Sequence, residues 1–428
     1  MPKFWRRGKT NILDLSMNNI FKKIPLSPRE LLLSSLLMLG FLTVNLEVLP
    51  MGEYQPIILM TLAMMAFLQD GKLSFRLMLL AALLLLMAAI GLAFGTTTDL
   101  ASALKIFVLI SYILFGWRLI PLCNLWVMRW IVILLCFVII CGLLASSPTR
   151  AMLGTFFPRG TLYYYGFNSF FSSEPSYASL NLFGLYIMYL LNRSADKIKD
   201  GEGFLFALIA VLLVATLSIT GIIFAMLILL NQFIMHGGKS IKSKIIIYIL
   251  MIFTFLAVAA SIMFKENSRL GVFFNFALSA FDGDFLANWL LLEPSSVVRF
   301  ISNAAGWYEG IGSYFGTGTF GFAGPSSQIY PDWLSSAFRS IDIIDKGSSA
   351  QTPFFNIVLY GGYIGLFFYF VIFLFIIKPL IALPREFRML VIAFLLICSL
   401  WQAAITYPFY WFVISYLIHQ GYVKKIPG

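Results

Sequence analysis

Apolar runs of membrane-spanning length follow one another almost from end to end of this 428-residue chain, and that repetition leaves few folds open. About 20 helical residues cross a bilayer core of roughly 30 Å, and a chain in lipid must satisfy its own backbone N–H and C=O groups, as continuous helices do. The runs stand near 31 to 49, 56 to 68, 73 to 94, 100 to 117, 125 to 145, 176 to 192, 204 to 217, 221 to 235, 245 to 263, 352 to 377, 389 to 406 and 408 to 420. They predict an all-α polytopic membrane protein of about twelve transmembrane helices. With 60% of residues hydrophobic and 11% charged, the composition exceeds what a soluble core of this length can bury.

Charge sets the orientation, because Lys and Arg near span ends resist translocation. With the N-terminus inside, 22 of the 30 basic residues fall on the cytoplasmic side and seven outside, whereas twelve of the 19 acids lie outside. Both termini are then cytoplasmic. The net charge of +11 becomes a topology signal and gives no support to nucleic-acid binding. Lys105 falls inside the fourth span, where it snorkels or pairs with an acid. Residues 1–30 form a basic cytoplasmic N-terminus and show no cleavable signal, so the first span doubles as the targeting signal. Residues 31–263 hold the first nine helices with an outer loop at 146–174, residues 264–351 form one long outer loop with short amphipathic helices, and 352–428 hold the last three helices and the C-terminus.

Cys123, Cys136, Cys141 and Cys398 lie in or beside spans without paired spacing, so neither disulfides nor a metal cluster is expected. His236 and His419 both fall on the cytoplasmic side. Chemistry on the outer face therefore works without a Ser-His or Cys-His nucleophile, and no cofactor is expected.

The two outer loops carry the polar chemistry. In Ser173-Glu174-Pro175 a proline at the first helical position marks the start of the sixth span. Glu174 is then a cap complementing the helix dipole or a carboxylate that orients or deprotonates a hydroxyl. The tripeptide recurs as Glu293-Pro294-Ser295 and predicts a helix that Gly310 and Gly312 stop. On that helix Arg299, Ser302, Asn303 and Gly306 share a small, polar face, which suits a phosphate or diphosphate gripped by the guanidinium fork or else a solvated surface arginine. Just before it, Phe285 to Leu292 reads as a segment lying in the headgroup region, so the loop hugs the membrane and caps a cavity. Tyr163, Tyr164 and Tyr165 stack on sugar rings or belong to an interfacial belt. Gly316-Thr-Gly318-Thr-Phe-Gly321 matches the dinucleotide fingerprint by letter, but the βαβ context is missing; its glycines predict a tight turn that brings backbone up to a ligand.

Four stretches together resemble the O-antigen polymerase branch of the bacterial polysaccharide polymerase and ligase superfamily. Phe171-Ser-Ser-Glu174-Pro175-Ser-Tyr-Ala-Ser-Leu is similar to the signature that opens a central span, and Leu217-Ser218-Ile-Thr220-Gly221 to the Ser-x-Thr-Gly break between the next two. Arg299 followed by ten residues and Gly310 resembles the Arg-x10-Gly pattern of the long periplasmic loop, and Phe315-Gly316-Thr-Gly318 the Gly-x-Gly turn after it. The small-residue span with Gly361, Gly362 and Gly365 agrees with the layout. O-antigen ligases, which resemble these polymerases, carry a histidine at the start of the span after the long loop; here Gln351 stands in that place, with Gly362 at the matching distance. In the shorter loop Arg150 and Gly160 miss the arginine spacing by one residue, and Phe170 stands where Arg159 would need glycine.

The resemblance implies a GT-C-like, metal-independent glycosyltransferase of the bacterial inner membrane. It joins repeat units carried on undecaprenyl diphosphate, on the periplasmic face. Arg299 is the expected stabiliser of the departing lipid diphosphate, with Arg159 or Arg339 second, and Glu174 is expected on the acceptor side. Arg150, Asn303, Tyr164, Gly316, Gly318 and Gln351 complete the expected substrate contacts. Membrane lipid surrounds it, and a chain-length regulator is left open as a protein partner. The alternatives are a ligase transferring the glycan to lipid A-core, and a lipid-linked oligosaccharide flippase. The flippase reading calls for intramembrane charge and repeated halves, of which only Lys105 is found.

Overall fold

The computed structural model describes residues 27–42, 57–70, 73–94, 100–144, 175–193, 202–216, 218–236, 294–322, 330–335 and 350–423. Among them there is no strand. The helices are α1 (Pro28–Leu42), α2 (Ile57–Asp70), α3 (Phe75–Phe94), α4 (Leu100–Phe115), α5 (Leu125–Leu144), α6 (Pro175–Arg193), α7 (Glu202–Ala215), α8 (Ile219–His236), α9 (Pro294–Gly312), α10 (Pro353–Ala382), α11 (Arg385–Leu396) and α12 (Pro408–Val423). A 3₁₀ segment, Gly116–Leu122, extends α4, and a π-turn, Ile397–Trp401, ends α11. Eleven of the expected apolar runs fall on these helices; the run at 245–263 lies outside the described residues. Among the described residues three stretches are long and apolar enough to cross a membrane, Phe75–Phe94, Ser102–Leu122 and Pro353–Ala382, and several shorter apolar helices accompany them.

Proline sets the start of α1, α6, α9, α10 and α12, where its missing N–H costs nothing and its fixed φ favours the helix. The start of α1 adds a capping box. The Ser27 backbone N–H donates to Glu30 Oε2 (2.9 Å), the Ser27 hydroxyl donates to the same oxygen (2.8 Å), and the Glu30 N–H donates back to Ser27 Oγ (3.3 Å). These donors hold the Glu30 carboxyl below its ordinary range.

At the centre of the bundle are α6 and α12, buried over nearly their whole length, as expected of helices that meet only protein. Tyr407 donates to the Leu180 carbonyl (2.7 Å) and Tyr416 to that of Leu191 (3.2 Å), so α6 and α12 run parallel. Parallel to both lies α4, with Tyr112 edge-on to Phe412 (5.4 Å) and Trp117 stacked on His419 (3.6 Å). The antiparallel pair is α3 and α10: Arg76 sits over the Phe375 ring (5.2 Å), and Met87 fills the space at Gly361. One end of the bundle thus gathers Arg76, Arg118, Arg193 and His419, and the other gathers Ser102, Ser179 and the α9 unit.

Outward faces are apolar. On α10 an exposed stripe begins at Tyr363 and continues through Phe367, Phe370, Leu374, Ile377 and Ile381, at the spacing of one helical face. Phe75, Met78, Leu85, Leu86, Leu92 and Phe94 do the same on α3. Large exposed apolar faces of this kind suit lipid rather than water.

The expected run at 389–406 is interrupted. Its helix ends in the π-turn, where the Gln402 N–H donates to Ile397 O (2.9 Å), five residues back. Residues 402–407 then run non-helically to Pro408, since the residue before a proline is pushed out of the helical region and the buried Gln402 and Thr406 need partners away from the helix axis.

Candidate functional site

Both flanks of α9 are occupied. Val297, Ile301 and Ala305 form a small core of their own with Tyr330 and Leu334. Ser302, Asn303, Gly306 and Gly310 are buried on the other side, against the first turns of α10. A Cβ at Gly310 would collide with the Val358 carbonyl, and one at Gly306 would stand 2.9 Å from Ala350 Cβ. The face expected to open toward a phosphate is therefore largely the packing face of the helix. Helical spacing says which residues share a face, but not what that face meets.

Arg299 is half-buried at the edge of that stripe, one turn before Asn303, so its Cβ lies about 6 Å from that of Asn303. Asn303 accepts a hydrogen bond from the Gln351 backbone N–H (2.9 Å). Three of the expected substrate contacts, Arg299, Asn303 and Gln351, thus come together where α9 meets the start of α10. Just beyond, the Asn356 amide donates to the carbonyls of Ala350 and Thr352, which ties the chain entering α10 to its first turn.

Gly316 and Gly318 have φ of 72° and 71°, as a tight turn requires. The backbone they approach is that of α10. Inside α10, Gly362 takes φ 56°, ψ −131°, a combination closed to residues with a Cβ, and the helix breaks there. Three of the freed groups are taken by the loop: Thr317 N–H donates to Leu359 O (2.9 Å), Gly318 N–H to Tyr360 O (3.0 Å), and Tyr363 N–H to Tyr314 O (3.2 Å). The turn is further fixed to α4, because Phe320 N–H donates to Ser102 Oγ (3.1 Å) and Lys105 Nζ lies 5.7 Å from the Phe320 ring centre. Lys105, left with two readings from sequence, here faces an aromatic ring of the long loop.

A second polar assembly surrounds the Ser-x-Thr-Gly stretch. The hydroxyls of Ser179, Thr216 and Ser218 form a triangle with sides of 2.8, 2.8 and 3.0 Å. Thr216 Oγ1 donates to Leu213 O (2.6 Å), and Ser218 Oγ accepts from Gly221 N–H (2.9 Å), capping α8. Thr220 Oγ1 donates to Gln402 Oε1 (2.6 Å) at the break after α11, and Gln402 Nε2 is buried with no partner. All these side chains are buried. Of this assembly Ser179 and residues 218–221 lie in stretches that stood out in sequence; Thr216 and Gln402 carry no signal without the fold.

Two further pairs were invisible in sequence. Tyr330 donates to the buried Glu309 carboxylate, and burial together with that acid pushes the phenol well above its ordinary range. Phe300 and Trp333 lie 6.2 Å apart, each 42% exposed. Glu174, Arg150, Arg159, Tyr164 and Arg339 lie outside the described residues. Among the described residues no group of His, Cys, Asp and Glu has the makings of a metal site.

The fold and these elements define an all-helical protein whose apolar helices mark it as a membrane protein. No protein-family model, curated protein or solved structure matches the chain.

Proposed function

We propose that this chain is a polysaccharide polymerase of the bacterial inner membrane. It joins undecaprenyl-diphosphate-linked oligosaccharide repeat units on the periplasmic face, in a topology of twelve spans with both termini inside. The observation that carries the reading is the convergence of its separate motifs into one packed unit. The Arg-x10-Gly helix, the Gly-x-Gly turn after it and the Gly361-Gly362 break in α10 are joined by backbone hydrogen bonds and glycine contacts. A unit built in this way holds Arg299 on a fixed ledge instead of a loose loop. Helix direction supports the topology as well. Parallel α4, α6 and α12 and antiparallel α3 and α10 are what alternate crossing requires, and they place Arg76, Arg118 and Arg193 at the end that the charge rule assigns to the cytoplasm.

In the reaction, a hydroxyl of the incoming lipid-linked unit attacks the anomeric carbon of the growing glycan. The C–O bond to the lipid diphosphate breaks with its electron pair, and the negative charge left on that group is stabilised by Arg299 without a metal. Glu174 takes or orients the proton of the attacking hydroxyl.

The test is the surface glycan of the host. Deleting the gene should leave glycans of a single repeat unit, and Arg299→Ala should reproduce that phenotype with wild-type amounts of protein in the membrane. Polymer of normal length from R299A would sink the assignment. Full polymer stranded on lipid diphosphate after deletion would make the protein a ligase, and units trapped inside would make it a flippase.

A further inference from the structure

We infer that Phe300 and Trp333 form a sugar-binding platform on the outer unit. The inference rests on the polymerase reading only for the source of the sugar, a glycan carried on lipid diphosphate. The two rings come from separate elements, one from α9 and one from the turn at 331–335, and meet at 6.2 Å with 33° between their planes. Their neighbours in sequence, Ile301 and Leu334, are buried in the small core that joins the two elements. The backbones that carry the rings are therefore anchored, and each residue stays 42% exposed. Two half-open rings so fixed offer an apolar surface about the size of a pyranose. The C–H bonds on one face of such a sugar carry partial positive charge and settle on the negative face of an aromatic ring.

What surrounds the rings argues for a sugar over lipid. Asp332, next to Trp333, is exposed, and its two carboxylate oxygens can accept sugar hydroxyls. An acid in this position disfavours an anionic lipid surface. The lipid-facing aromatics of this unit sit elsewhere. Tyr314 is 79% exposed beside Tyr363, where the apolar stripe of α10 begins, and Phe315 stacks on Phe94 (5.3 Å). From Phe300 to Gly312, short of that girdle, is already about 18 Å along the helix. One end of α9 therefore meets the lipid-facing belt, and the ring pair stands back from it along the helix.

The experiment uses full-length protein in lipid nanodiscs and a panel of uncharged soluble oligosaccharides built from hexoses, N-acetylhexosamines and 6-deoxyhexoses, with binding followed by saturation-transfer NMR. At least one member should bind at millimolar concentration. Phe300→Ala and Trp333→Ala should each weaken it at least tenfold, whereas Phe300→Trp and Trp333→Tyr, which keep a ring, should retain it. In parallel, brominated lipids should quench Trp130, which is exposed on a membrane helix, and leave the Trp333 emission, isolated by difference from W333F, unchanged. Absence of binding by every sugar, or binding indifferent to both alanine variants, overturns the platform. Quenching of Trp333 to the extent of Trp130 also overturns it and assigns the rings to lipid. Normal polymer from R299A would remove the polymerase reading while leaving sugar binding by the rings standing, so the two failures are told apart.

Discussion

At Gly362 the α10 helix is broken and its freed carbonyls are taken by N–H groups of a loop 42 residues away in sequence. Between Trp401 and Pro408 a helix is also broken, but there Gln402 reaches a hydroxyl on α8, within a cluster of polar side chains. Main chain of a distant loop repairs the first break; at the second the segment bonds its own backbone (Gln402 N–H to Ile397 O, Tyr407 N–H to Ala404 O), and side chains tie it to the bundle, with Trp411 Nε1 donating to Ile405 O and Thr220 to Gln402 Oε1. A main-chain repair depends on how closely two backbones approach, so only glycine fits at its tightest points. A side-chain repair depends on which polar atoms are present, so it tolerates a change of shape that keeps the hydroxyl and fails when the polarity is lost. Each break needs such a repair, because an unpaired N–H or C=O away from water costs as much as a lost hydrogen bond.

That contrast can be broken or sharpened by four substitutions, in descending order of effect. Gly362→Ala forces a Cβ into a conformation reserved for glycine and against Gly316 N; we expect a loss of about 3 kcal/mol, read as a lower thermal midpoint in detergent together with faster amide exchange at Thr317 and Gly318. Unchanged exchange there would mean that the loop does not seal the break. Gly310→Ala drives α9 off the Val358 carbonyl, with a cost of about 2 kcal/mol for overpacking; its thermal midpoint should fall by less than that of G362A. Thr220→Val deprives Gln402 of its bonded hydroxyl and leaves the whole amide buried and unpaired, about 1–2 kcal/mol. Thr220→Ser should be close to neutral, and equal losses from both would place the effect in packing, not polarity. Ser179→Ala is the mildest at about 1 kcal/mol or less, since Thr216 and Ser218 still bond each other at 3.0 Å.

Two helix starts were legible in the sequence, because proline acts locally: Pro175 and Pro294 begin helices where their neighbours predict them, and the apolar runs read from 352 and 408 begin at Pro353 and Pro408. Apolar runs were legible for the same reason. The break inside 389–406 was not, since Gln402 and Thr406 are two polar residues among apolar ones and only the packed bundle supplies Thr220 opposite Gln402. For the site, the spacing of Arg299, Asn303 and Gly310 was readable, but the meeting of Asn303 with Gln351 spans 48 residues and follows from no local rule. The Gly316 and Gly318 turn was expected from its glycines, while its partner, the α10 backbone, could not be. The rings of Phe300 and Trp333 went unnoticed because isolated aromatic residues in a loop say nothing until a shared core brings them together.

The break at Gly362 also decides how much of α10 the bilayer has to accommodate. Thirty residues of unbroken helix would reach about 45 Å, some 15 Å more than the hydrocarbon is thick, and a rigid rod of that length would have to tilt or thicken the surrounding lipid. Divided at Gly362, the piece from Tyr363 to Ala382 measures about 30 Å and matches the hydrocarbon core unaided. The excess length is absorbed by a bend within the protein and not by the surrounding lipid.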